Sequence, residues 1–371
     1  FMKICLITTG DIKTFGTIKG ATGLAVAINK KGHEASLVLM DTENNRSRVK
    51  LECPNVKVFW FDSTSVLSEI NKKNKIIRDH QFDVIYVVSF GIRNFTYKMF
   101  NKKRFVSILE HSELPSSIVN SKKIRWVTNL ILEKLSLFMF SGHVCNSKYL
   151  YNELNRINKK IISLYSTYAY SSDLININNE LSNNLSKMFK DKKVLCYMGT
   201  LVENYGILDI IRAIKELKKT HSNFILLVIG GGKDKAKMLQ VIDRENLQKY
   251  VHVANYISEE DLYTYFHNSN AFVMPLRNTV QDWARSPSKL FMYMHFNKPI
   301  ITSKIGESAE IFSNYDFYYN PDDLGTFAPA IKKALFSNDN WRPEWNPMSH
   351  TWDERAVGRI EWLEKNWPQI F

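Results

Sequence analysis

A chain of 371 residues and 43.2 kDa exceeds one ordinary hydrophobic core and suits two domains of about 150 to 200 residues each. Hydrophobic residues make up 44% and aromatics 13%, which excludes a disordered chain, and no apolar run is free of charge for long enough to span a membrane. The formal charge of +13 is uneven: residues 1–185 hold 26 basic and 15 acidic residues, a balance of +11, against +2 for the rest.

The chain begins in a strand-like KICLIT with no basic leader, and its four cysteines (Cys5, Cys53, Cys145, Cys196) have no metal-ligand spacing. Both features point to reduced, buried thiols in a cytoplasmic protein. Short β-rich runs then alternate with helix-length stretches. The predicted strands of the first half are Lys3–Thr8, Ala35–Met40, Lys57–Phe61, Asp83–Val88, Phe105–Glu110, His143–Asn146 and Ile161–Tyr165. Between the fifth and sixth lies Ile124 to Phe140, with Trp126, Leu130, Leu137 and Phe138 after the basic run Lys122-Lys123-Ile124-Arg125. It reads either as a core-packing helix or as one that dips into a membrane surface. Lys72-Lys73-Asn74-Lys75 and Lys102-Lys103-Arg104 are further basic clusters. They fit an anionic membrane face, a lipid diphosphate or nucleic acid, or simply a solvated surface.

Ser171 to Lys193 is polar and rich in Asn and Ser, the composition of a linker carrying at most one helix. The alternation restarts with Val194–Met198, Phe224–Gly230, Val251–Ala254, Ala271–Pro275, Ile300–Ser303 and Phe317–Asn320. From Thr351 the chain reads as a capped amphipathic helix, with Glu354 three residues after the cap. The βα succession therefore runs twice, which predicts two doubly wound α/β domains with parallel sheets and ligands at the carboxyl ends of the strands.

Residues 284–303, ARSPSKLFMYMHFNKPIITS, carry the chemistry most visible in the sequence. Ser286 stands as the predicted cap of a helix, Pro287 at its first position, and Ser288 and Lys289 in its first turn, a start suited to a phosphate. The turn at Gly230, Gly231 and Gly232 either lets backbone approach a ligand or is a plain strand-to-helix turn. Gly10 to Gly16 is not a dinucleotide fingerprint, and the basic clusters sit between predicted strands and helices rather than among aromatics on an open sheet face, which argues against an oxidoreductase and against nucleic acid.

Seven pieces in order resemble the family-4 glycosyltransferases: Ala21-x-x-Leu24-x-x-Ala27-Ile28 with Lys31-Gly32-His33-Glu34; Val144-Cys145-Asn146-Ser147; Val194–Gly199 with Tyr205-Gly206-Ile207; Phe224 to Gly232; Val251 to Tyr256 with Glu259 to Leu262; the 284–303 stretch; and Thr351-Trp352. The resemblance implies the GT-B architecture, two Rossmann-like domains facing across a cleft, with a C-terminal helix crossing back to the first domain. It implies an acceptor-binding domain over 1–170, a linker over 171–192, a donor-binding domain over 193–348 and the closing helix over 349–371. The implied reaction moves a sugar from a nucleotide-sugar donor to a glycan or lipid-diphosphate acceptor in surface polysaccharide or glycoconjugate synthesis, usually with retention. No cofactor or metal is expected. The protein is expected in the cytoplasm, with peripheral contact to the anionic inner membrane face through its basic first domain.

The resemblance also assigns residues. His111, after the fifth strand, matches a histidine that faces the donor sugar, with Glu110 and Glu113 beside it. Gly16 and Thr17 match a glycine-bearing acceptor loop, and Lys19 nearby suits an anionic acceptor. Relatives carry an Arg directly after the glycine matched by Gly199 and a Lys before the one matched by Gly206, where this chain has Thr200 and Tyr205. A ribose-binding Glu on the donor helix is replaced by Met292, which accepts no strong hydrogen bond. Two readings follow: donor binding rebuilt with Arg285, Lys289 and Arg277 supplying charge, or a degenerate GT-B protein serving as a binding partner. A sugar-nucleotide epimerase shares the architecture and is a third.

Overall fold

The computed structural model describes residues 1–14, 16–88, 90–94, 104–117, 123–254, 257–337 and 341–371. Lys102, Lys103 and Lys122 of the basic clusters, and Asn255 and Tyr256, lie outside the described residues. The chain divides into two compact units. One comprises Phe1–Ser171, Ala284–Ser286 and His350–Phe371; the other comprises Ser172–Trp283 and Pro287–Ser349.

The first unit is built on seven strands: β1 (Lys3–Ile7), β2 (Glu34–Met40), β3 (Lys57–Phe61), β4 (Val84–Val87), β5 (Val106–His111), β6 (Gly142–Cys145) and β7 (Ser163–Tyr165). They pair in the order β3-β2-β1-β4-β5-β6-β7, every pair parallel. Ile4 to Ile7 and Val84 to Val87 are buried along their whole length, as strands covered on both faces must be. Between the strands run α1 (Thr17–Lys30), α2 (Glu43–Glu52), α3 (Val66–Asp79), α4 (Lys123–Met139) and α5 (Lys148–Ile157). Ser65 and Ser147 cap α3 and α5 by accepting from the backbone N–H of Ser68 and Leu150.

The C-terminal helix α14 (Trp352–Asn366) belongs to this unit, and Thr351 caps it by accepting from the N–H of Glu354. Its Trp352 lies against Gly23 of α1, where any Cβ would collide with the indole. At its far end Trp362 and Trp367 close over Gly142 of β6 in the same way.

The second unit holds five parallel strands in the order β10-β9-β8-β11-β12: β8 (Lys193–Met198), β9 (Phe224–Ile229), β10 (Val251–Ala254), β11 (Ala271–Met274) and β12 (Ile300–Thr302). Its helices are α6 (Asn179–Met188), α7 (Ile207–Leu217), α8 (Lys235–Arg244), α9 (Glu259–His267), α10 (Val280–Ala284), which runs to the boundary residue Ala284, α11 (Ser288–Met294), α12 (Glu307–Ile311) and α13 (Phe327–Phe336). The strand predicted at Phe317–Asn320 does not form. Only a single bridge joins Tyr318 to Thr302, and Tyr319 instead stacks on Phe327 of α13 at 3.9 Å between ring centres. Aromatic packing has displaced the ladder there, since β12 offers only three residues to pair with.

Candidate active site

In the second unit, β8 and β9 end in turns that touch backbone to backbone. Leu201 N–H donates to the Gly231 carbonyl at 2.8 Å and Asp234 N–H to the Leu201 carbonyl at 3.0 Å. A Cβ at Gly230 or Gly232 would collide with the carbonyl of Gly199 or Leu201, whereas one at Gly231 would meet open space. Gly230 and Gly232 are therefore required by the packing of this turn, and Gly231 alone is spare for a ligand.

Helix α11 is fixed to the end of β8 by both sides of one residue. Lys289 Nζ donates to the Met198 carbonyl at 3.3 Å, and Met198 N–H donates to the Tyr293 hydroxyl at 2.9 Å. The Lys289 ammonium stands 4.7 Å from the centre of the Tyr197 ring. It also lies 3.2 Å from the point a Cβ on Gly199 would occupy, so the cation sits directly over the glycine turn.

The helix start differs from the expected one. Pro287, not Ser286, holds the cap position, and it makes no side-chain cap bond. Ser286 Oγ instead accepts from the backbone N–H of Tyr168, and Ala284 O accepts from Ser147 Oγ at 2.7 Å, which is why Ala284–Ser286 groups with the first unit. Arg277 is likewise committed: its guanidinium pairs with Asp209 at 2.9 Å and its N–H donates to Asp282. It shares the Asp209 carboxylate with Arg212, which pairs with the other oxygen at 2.9 Å. Thr200 is exposed, Tyr205 half-buried in a short turn, and Met292 retains 9% exposure on α11.

In the first unit, β5 ends with His111 buried at 6% exposure, its Nε2 3.0 Å from Nδ1 of His143 on β6. Burial pushes both imidazoles down, His111 well below the usual histidine range with His143 adding to the effect, and His143 to about 4. At neutral pH each ring is uncharged and one shares its proton with the other. Glu110 and Glu113 were expected alike as neighbours of His111, and they separate. Glu113 is exposed. Glu110 is buried on the opposite sheet face, taking Asn146 on one oxygen and Tyr86 and Arg359 on the other. Gly16 and Thr17 begin α1 and Lys19 is exposed in its first turn; Gly16 has ordinary helical angles and open space around it. A separate cavity of about 330 Å³ opens at the ends of β1 to β3, lined among others by Thr9, Ser63, Thr64 and Arg93.

Residues 180–356 match the family model of "Glycosyl transferases group 1". That segment, just under half of the chain, is similar to the group 1 glycosyltransferases. The chain is 25% identical over 283 residues to an uncharacterized glycosyltransferase of Methanocaldococcus jannaschii, covering 67% of this chain and 68% of that one. To the capsular polysaccharide biosynthesis glycosyltransferase CapM of Staphylococcus aureus it is 25% identical over 228 residues; the alignment covers 58% of this chain and spans only 57% of that relative. The structure of Anabaena HepE in complex with UDP and glucose superposes with a TM-score of 0.72 at 13% identity, over 100% of this chain and 98% of the other. The architecture is GT-B, with the C-terminal helix in the first unit.

The sequence-derived residues fall into separate groups. Gly199, Thr200, Tyr205, Gly231, Ser288, Lys289 and Met292 belong to the second unit; His111, Glu113, Gly16, Thr17, Lys19, Arg285 and Ser286 belong to the first. Sequence reasoning missed His143, because a histidine in the middle of a short apolar strand gives no local sign of a partner 32 residues away. It also missed the role of Tyr293, whose hydroxyl is hidden in an otherwise apolar helix face. Among the described residues, no group of three His, Cys, Asp or Glu side chains is placed to share a metal ion.

Proposed function

We propose that this glycosyltransferase moves a sugar from a nucleotide-sugar donor to a glycan or lipid-linked acceptor, with retention at the anomeric carbon, in the synthesis of a surface polysaccharide or related glycoconjugate. The observation that carries the reading is the Lys289 ammonium held over Gly199 by Met198 and Tyr197. Departure of a nucleoside diphosphate builds negative charge that needs a fixed cation, and this one is already oriented. It compensates for the arginine and lysine that relatives place at the positions of Thr200 and Tyr205. The name of CapM and the UDP and glucose bound to HepE support the acceptor and donor classes.

In this reading the backbone at Gly231 lies beside the diphosphate, and neutral His111 accepts from or donates to a sugar hydroxyl rather than acting as an imidazolium. Glu110 does not act as a covalent nucleophile. Both its oxygens are engaged by Asn146, Tyr86 and Arg359, and it is only 2% exposed. Retention then proceeds on the front face, with the leaving phosphate taking the acceptor proton. No metal or cofactor takes part, and the enzyme works in the cytoplasm.

Calorimetric titration with a panel of UDP, GDP, ADP and dTDP sugars tests the donor reading. One class is expected to bind the parent protein and to bind Lys289→Ala at least tenfold more weakly. If no sugar nucleotide binds the parent, the degenerate, scaffolding alternative takes its place.

A further inference from the structure

Helices α7 and α8 of the second unit meet along a groove that shares no lining residue with the site around Lys289. The groove holds a cavity of about 640 Å³, within the size range of small-ligand sites. Its lining comes from positions i, i+3, i+4 and i+7 of each helix, running from Leu208 to Lys215 on α7 and from Lys237 to Arg244 on α8. Leu208 and Ile211 are buried and, with half-buried Val241, form an apolar floor. Arg212, Lys215, Lys237 and Arg244 stand around that floor, the two arginine side chains 64% and 72% exposed. Among the described residues the lining holds one carboxylate, Glu245, which answers both Lys215 at 2.7 Å and Arg244 at 3.3 Å. Arg212 divides Asp209 with Arg277, and Lys237 pairs with Glu203 at 2.8 Å. Exposed pairs of this kind are weak and yield readily to a more highly charged anion.

We propose that this groove binds a polyvalent phosphate ester with a non-aromatic body, of the sugar bisphosphate kind. The guanidinium forks of Arg212 and Arg244 match phosphate oxygens in pairs, and Lys215 and Lys237 add point charges. Lys237 and Arg244 stand two turns apart on α8, about 10 Å along its axis, which suits an anion charged at both ends. The floor of Leu208, Ile211 and Val241 takes the C–H face of the body between those ends, and Gln240 on the rim can pair with a hydroxyl. Among the described residues no aromatic side chain lines the cavity, so a nucleobase would find nothing to stack on. This sets the ligand apart from the sugar nucleotide expected at Lys289. An acidic protein segment would need a far larger complementary face than two turns of each helix supply.

The site does not depend on the donor reading, and the test keeps the two apart. Fructose 1,6-bisphosphate is titrated calorimetrically into the full chain, into Arg212→Gln/Arg244→Gln and into Lys289→Ala, and the parent titration is repeated in sodium sulfate of equal ionic strength. Expected is binding by the parent with a Kd below about 1 mM, a loss of about tenfold or more in the double arginine variant, and a change within about twofold in Lys289→Ala. Both arginines are exposed, so an unchanged melting temperature verifies the fold of the variant. Binding that is absent for the parent or equal in the double variant overturns the proposal. Loss of binding in Lys289→Ala overturns it too, by placing the probe in the donor site. Displacement of the probe by sulfate at equal ionic strength would leave an adventitious ion only. Tighter binding of a polyglutamate peptide at the same arginines would assign the groove to an acidic protein segment instead.

Discussion

Arg359 donates to Glu110 at 2.8 Å across 249 positions of chain, with both side chains at least 97% buried. The same guanidinium nitrogen reaches the Tyr86 hydroxyl at 2.7 Å, and Nε reaches Ser166. Through this one side chain α14 is tied to β4, β5 and the segment after β7. The expected outcome of Arg359→Met is a loss of about 3 to 5 kcal/mol in urea unfolding, because a buried carboxylate is left without its cation. Replacing the pair together, Arg359→Met with Glu110→Met, is expected to cost less than the single change. A single-variant loss under about 1 kcal/mol would show that the network holds nothing.

The His111–His143 pair makes stability pH-dependent. Both rings have folded-state pKa values below the unfolded value of about 6.5, so the unfolded chain takes up protons first as the pH falls. Their contribution is complete above about pH 6.5 and is lost as the pH falls below it, for His143 between about 6.5 and 4. For His143, held at about 4, the loss amounts to ~3 kcal/mol. Urea midpoints at pH 7.5, 6 and 5 measure it, and His143→Gln is expected to flatten that slope while changing the pH 7.5 value little. A slope unaltered by His143→Gln would remove the pair as its source.

Most of the architecture was legible because covered parallel strands leave continuous apolar runs: FILLVI becomes β9 with only residue-level shifts at its ends. The failure at Phe317–Asn320 has the same root, since FYYN is as apolar as a strand and its aromatic stacking is decided by Phe327, which periodicity does not reveal. The site was legible in part. Lys289 could be singled out by its place one turn into a helix, but not its contact with Met198, 91 residues away. Arg277 looked like an available cation because Asp209, its partner, is 68 residues distant. Ion pairs across the sheet are set by the fold, and a one-dimensional reading counts their members singly.

Lys289 separates charge from packing. Lys289→Ala is expected to weaken the sugar nucleotide by about 1.5 to 3 kcal/mol, roughly ten- to a hundredfold, the range for hydrogen bonds to charged groups. Thr200→Arg in that background is expected to recover part of the loss, because residue 200 follows the glycine over which the ammonium stands. Titration of the four proteins forms the cycle. Recovery would be absent if Lys289 served only to hold α11 against β8, and the melting temperature would then fall with the affinity.

Gly230 and Gly231 are adjacent and are expected to respond differently. At Gly230 φ is +142° and a Cβ would run into the Gly199 carbonyl, which is backbone and has nowhere to move without carrying the whole β8 turn with it. Gly230→Ala is therefore expected to cost about 3 kcal/mol or more and to displace the very carbonyl turn that Lys289 overlies. Gly231 has no atom within 4 Å of its Cβ position, so Gly231→Ala is expected to melt within about 1 kcal/mol of the parent. If the diphosphate lies against that open face, the added methyl group meets the ligand rather than the protein, and affinity falls while stability does not. Titration and thermal melting of the two variants together read this out. Unchanged affinity in Gly231→Ala would place the diphosphate elsewhere on the rim and leave the glycine run as a turn between strand and helix.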